Sequence, residues 1–77
     1  NGEMIEIQLN HFRNKLLEAK SKRIKKVVFI HGVGNGKLKM EIRKELDKQK
    51  ITFQDASFRE YGYGATMVIL KQSDYGI

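Results

Sequence analysis

A short apolar run, Val27–Ile30, ends against a turn holding three glycines in five positions, Gly32, Gly34 and Gly36, and an amphipathic pattern starts directly behind it. No other feature restricts the fold of this chain as much. Lys26–Ile30 (KVVFI) is β-branched and almost continuously apolar, the pattern of a strand buried on both faces. His31–Gly36 (HGVGNG) then demands a tight turn with backbone angles that side chains resist. From about Lys37 to Gln49 the spacing predicts a helix with Leu38, Ile42 and Leu46 on one side. Lys37, Lys44 and Lys48 line one flank of that apolar stripe, and Lys39, Arg43 and Lys50 line the other.

Upstream, Ile5, Leu9, Phe12, Leu16 and Ala19 recur at steps of four and three, which makes Glu3 to about Ser21 an amphipathic helix. Met4, Ile7 and Leu17 lie off its stripe, as residues covering a missing neighbour or as ordinary surface scatter. His11 falls on its polar side and reads as a surface residue without chemistry. Downstream, Ile51–Ala56 alternates as a second strand, Ser57–Gly64 (SFREYGYG) reads as a loop, and Ala65–Lys71 is a third strand. The order α-β-α-β-β gives a two-layer α/β sandwich. The first two strands are expected to run parallel through a right-handed crossover, and the eight-residue link favours an antiparallel pairing of the last two. The 77 residues form one domain, and the Asn at position 1 suggests a C-terminal piece of a longer protein.

Composition closes several routes. With no Cys and two His, the chain lacks the residues for a disulfide framework, a thiol nucleophile or a structural zinc site. A helical membrane span needs about 20 apolar residues, far beyond the longest run here, and no signal sequence opens the chain. A cytoplasmic setting without membrane contact is expected. The net charge of +6 resides in Arg13–Lys26, where seven basic residues, including Lys25 and Lys26, face Glu18 alone. Such a cluster favours phosphate-bearing partners, DNA or RNA, although a solvated helix end would look the same.

The glycine turn sits between a strand and a helix N-terminus, where backbone amides and the helix dipole favour anions. Lys37 and Lys39 stand at its mouth. It is not a dinucleotide fingerprint, because Gly36 comes one position early. Nor is it a P-loop, because His31 replaces the first glycine and Leu38 follows Lys37. A phosphodiester backbone is the better anion. His31 has two readings, a general base or water holder, and a structural histidine bonded to the turn. Asp55 and Glu60 could hold magnesium or simply flank a strand; Tyr61 and Tyr63 could stack on unpaired bases or serve as loop material.

Phe29–Lys39 (FIHGVGNGKLK) resembles the second motif of the small MutS-related (Smr) domain, an apolar strand followed by His-Gly-x-Gly-x-Gly-x-Leu. Tyr61–Val68 (YGYGATMV) is similar to that family's Gly-x-Gly-Ala-Thr entry into its last strand. The resemblance covers about Gly2 to Leu70 and is tightest from Val27 onward. It implies a sandwich like the C-terminal domain of translation initiation factor three, and nucleic-acid binding. In some members it implies a nicking endonuclease, often with magnesium, linked to mismatch repair or recombination. His31 would then be the catalytic position, with Gly32, Gly34, Gly36, Lys37, Lys39, Lys25, Lys26, Tyr63 and Gly64 contacting nucleic acid and no metal ligand in this chain. The family's first motif, a strand reading roughly Leu-Asp-Leu-His-Gly, has no counterpart, because Ile5-Glu6-Ile7-Gln8-Leu9 belongs to a helical pattern. The isolated chain is therefore expected to be inactive, with nicking confined to the full-length parent and its upstream domains. A non-catalytic module for branched or single-stranded DNA or RNA is the second reading. A protein-interaction domain is the third.

Overall fold

A computed structural model describes residues 2–76. Helix α1 (Gly2–Ser21) leads into strand β1 (Lys26–Ile30), helix α2 (Lys37–Lys48), strand β2 (Thr52–Asp55), the single-turn helix α3 (Phe58–Tyr61), strand β3 (Ala65–Ile69) and a closing 3-10 turn (Gln72–Tyr75). The architecture is the two-layer α/β sandwich that the sequence implies. The three strands stand in the order β1-β3-β2, with β3 antiparallel to both neighbours. Strands β1 and β2 therefore point the same way, as expected of a strand-helix-strand unit, but β3 separates them.

The register places Phe29, Thr66 and Asp55 in one row and Val27, Val68 and Phe53 in the next. Because side chains alternate across a strand, these residues share one face, and both long helices pack there. Leu9, Phe12, Leu16 and Ala19 of α1 and Ile42 and Leu46 of α2 are buried together with Phe29 and Val68. Phe12 and Phe29 meet edge to face, ring centroids 4.8 Å apart. Arg13 ties the helices together by donating through Nε and Nη2 to the two carboxylate oxygens of Glu45.

Strand β1 is not buried on both faces. It forms an edge of the sheet, and Val28 and Ile30 point away from the face on which the two long helices pack, so Ile30 stays 73% exposed and only Phe29 is buried. The stretch expected as loop contains α3, capped by Ser57, whose hydroxyl accepts from the Glu60 amide at 3.4 Å. The pattern Ser-x-x-Glu is the sequence signal for such a start. β3 stops at Ile69 rather than Lys71, because the Lys71 amide turns to the Asp74 carboxylate at 2.7 Å. The closing turn docks Tyr75 back onto the α1–β1 connection, its hydroxyl donating to the Ile24 carbonyl at 2.9 Å. Among the described residues no helix is long and apolar enough to cross a membrane.

Candidate nucleic-acid interface

The turn behind β1 is built as its glycines require. Gly32, Gly34 and Gly36 have φ of 75, 37 and 78°, the left-handed region where a Cβ is strained. Gly36 is the N-cap of α2 and offers no side chain to the first helical amides; Asn35 instead accepts from the Lys37 amide at 3.0 Å. The second loop lies directly against this turn. The Gly64 carbonyl accepts from both the His31 and Gly32 amides, at 2.9 and 3.0 Å. A Cβ on Gly64 would lie 3.4 Å from the Gly32 backbone, in ordinary van der Waals contact, so the two segments run side by side here. The two segments that carry the family resemblance are thus fastened to each other at one end of the sheet.

Beneath the turn lies a polar node centred on Thr66, a fully buried residue of β3. Its Oγ1 accepts from Arg43 Nε at 3.1 Å and from Nη2 at 2.9 Å, and lies 2.9 Å from His31 Nε2. A threonine hydroxyl has one proton to give, and Arg43 has no acceptor for it. That proton therefore goes to His31 Nε2, which must carry the lone pair. The other ring nitrogen, Nδ1, lies 2.9 Å from the Gly32 carbonyl and must be the donor there. The partners thus select the tautomer with the proton on Nδ1, and both ring nitrogens are engaged within the chain. Arg43 also donates to the Asp55 carboxylate, which has Lys39 Nζ at 3.8 Å. The bond from Arg43, with the positive charge of Arg43 and Lys39, holds the Asp55 carboxyl below the ordinary value of 3.8.

The structure gathers most of the expected site residues and separates two. His31, Gly32, Gly34, Gly36, Lys37, Lys39 and Gly64 share this end of the sheet, and Tyr63 adjoins it, two-thirds exposed. Lys25 and Lys26 lie at the opposite end of β1, roughly 16 Å from His31 at about 3.3 Å per residue. The basic cluster is also partly neutralised. Arg13 pairs with Glu45 and Glu6, and both Lys15 and Lys22 pair with Glu18. Arg43 and Thr66 are the residues that sequence reasoning left out of the site. The available signal was Lys39 and Arg43 one turn apart on α2, opposite an acidic strand end. Among the described residues no three His, Asp or Glu side chains gather to hold a metal ion, and Asp55 faces cations rather than Glu60. Among the described residues, then, no cluster of three such side chains offers itself to the magnesium implied by the resemblance.

A two-layer sandwich with a His-Gly-x-Gly turn latched to a Gly-x-Gly-Ala-Thr strand entry defines a class, and comparison with known proteins agrees. The Smr domain family matches residues 3–71, and the chain belongs to it. It is 37% identical over 75 residues, 95% of its length, to Endonuclease MutS2 of Aquifex aeolicus (strain VF5). It is 46% identical over 50 residues, 62% of its length, to Endonuclease MutS2 of Finegoldia magna (strain ATCC 29328 / DSM 20472 / WAL 2508). The chain spans only 10% and 6% of these relatives. The crystal structure of the Smr domain of Thermus thermophilus MutS2 superposes with a TM-score of 0.80 at 30% identity, covering 87% of this chain and 86% of that one.

Proposed function

We propose that this Smr domain binds the phosphodiester backbone of DNA or RNA at the His31–Gly36 turn, with Lys37 and Lys39 supplying charge, and that it serves a nicking endonuclease in its full-length parent. The observation that carries the reading is the exposed glycine turn at the N-terminus of α2, capped by a residue without a side chain and flanked by these lysines. Its family membership, with relatives named as endonucleases, supports a nucleic-acid role. Contacts to the phosphate backbone carry no sequence information, so binding at this turn is expected to depend on salt rather than sequence. A place in mismatch repair or recombination belongs to the same proposal, as does a preference for branched DNA. No magnesium-borne step is assigned to these residues.

The hydrogen bonds of His31 favour the second reading, a binding module without catalysis of its own. To take a proton, His31 has to exchange Thr66 or Gly32 for the reacting group. Fluorescence anisotropy against labelled duplex, branched and single-stranded DNA and RNA at two salt concentrations tests the binding. Salt-sensitive binding that weakens on Lys37→Ala and Lys39→Ala supports it, and no binding at low salt overturns it. Unchanged nicking by a His31→Ala parent would remove the catalytic role and leave the binding module.

A further inference from the structure

Resting on that nucleic-acid reading, we infer that Phe58 and Tyr63 form a stacking shelf for one unpaired nucleobase beside the phosphate-binding turn. The two rings are 62% and 67% exposed, although each is large enough to anchor a core. They touch each other, with centroids 4.7 Å apart and planes at 60°, so the tilt leaves most of both rings facing solvent.

The backbone on both sides of the shelf is tied by hydrogen bonds. Phe58 opens α3, which the Ser57 cap fixes at one end and the Gly62 amide closes at the other, 2.7 Å from the Phe58 carbonyl. Tyr63 lies between Gly62 and Gly64, and Gly64 is bonded to the His31 and Gly32 amides. The backbone that carries Tyr63 is therefore tied to the turn that takes the phosphate. Arg59 adds an exposed cation that makes no ion pair among the described residues.

Aromatic faces bind bases of any identity, because every base presents a π face. A base inside a duplex has both faces covered by its neighbours, whereas one in a bulge, fork or junction has a face to offer. The shelf thus selects for structure rather than sequence, in DNA or in RNA. Anchored next to a backbone contact, one stacked base strengthens binding roughly tenfold.

The test uses one duplex carrying a single unpaired 2-aminopurine and its fully paired counterpart, in DNA and RNA versions that tell the two sources of the base apart. Anisotropy gives the ratio of affinities, and quenching of 2-aminopurine fluorescence reports stacking. The expected result is about tenfold tighter binding of the bulged form with quenching. The ratio should fall toward one in Tyr63→Leu and Phe58→Leu, and be kept in Tyr63→Trp. Circular dichroism confirms that each variant is folded, and the exposure of both positions makes that the expected outcome. Equal binding of the two forms by the wild type, or a ratio that survives both leucine variants, overturns the shelf and leaves the backbone reading intact. Failure to bind either form at low salt overturns both.

Discussion

Replacing Thr66 with Val removes one oxygen and almost no volume, so its cost isolates the polar node beneath the turn. The side chain is fully buried and its hydroxyl makes three hydrogen bonds, two from Arg43 and one to His31. A methyl group in its place leaves two guanidinium N–H groups without an acceptor. It also leaves the His31 Nε2 lone pair without a donor. Arg43 keeps Asp55, and its side chain is 24% exposed, so water recovers part of the loss. At about 1–3 kcal/mol for an unsatisfied buried group, offset by somewhat under 1 kcal/mol for the added apolar surface, the net destabilisation is about 2 kcal/mol. In a domain of this size that lowers the melting temperature by roughly 8–16 °C. Thr66→Ser keeps the oxygen and loses a methyl, for about 1 kcal/mol, so the order of stability is Thr, then Ser, then Val. Thermal denaturation followed by circular dichroism measures that order. Long-range proton–nitrogen NMR of the imidazole reads the tautomer directly, with Nδ1 protonated in the wild type and in Thr66→Ser. A valine variant as stable as the serine variant, or a wild-type ring protonated at Nε2, refutes the hydrogen-bond assignment.

Other substitutions probe separate pieces of the architecture. Lys50, just past the end of α2, has a φ of 58° and is exposed, so Lys50→Gly should stabilise the fold by up to about 1 kcal/mol in urea denaturation. Gly64 has no positive φ and an added Cβ would sit in ordinary contact 3.4 Å from the Gly32 backbone, so Gly64→Ala should stay within about 1 kcal/mol of wild type in urea denaturation while shifting the His31 and Gly32 amide resonances. Asp55 has a lowered folded-state pKa, so its bond to Arg43 stabilises the fold above the ordinary value of 3.8 and is lost as pH falls through the lower folded value. Asp55→Asn should therefore be less stable than wild type well above pH 3.8, with the gap in urea midpoint closing well below it.

Local features of the fold were legible in the residues. The stripe of Leu9, Phe12, Leu16 and Ala19 is buried as its periodicity implies, and the glycines at 32, 34 and 36 take the positive φ that their clustering requires. Pairing partners were harder to see. Nothing local says that β3 inserts between β1 and β2, since strand order depends on contacts remote in sequence. The same gap explains the error over β1. An apolar run shows that side chains avoid water on average, but Val28 and Ile30 lie on the face away from the two long helices and stay exposed. Helix α3 is too short to show periodicity and declared itself only through Ser57 and Glu60. At the site, His31 and the glycines could be named from their motif. Thr66 lay within the Gly-x-Gly-Ala-Thr motif, but its partnership with Arg43 was not visible, because 23 positions separate two residues whose side chains meet only in the folded chain. Lys25 and Lys26 share the basic cluster in sequence, and the length of β1 sets them at the end of the strand opposite His31.

The central position of β3 also governs how the chain can acquire its structure during synthesis. Both ladders of the sheet use β3, and no other strand pairing exists among the described residues. As the chain emerges from its N-terminus, α1, β1, α2 and β2 appear before any strand has a partner. Until β3 follows, two strand edges and the apolar sides of two helices have no sheet to close on. The sheet then forms in one late step, as the last strand enters between two waiting edges. Most of its contacts span long stretches of sequence, a topology associated with slower folding. Any partner able to offer a strand before β3 arrives would compete with it for the same two edges.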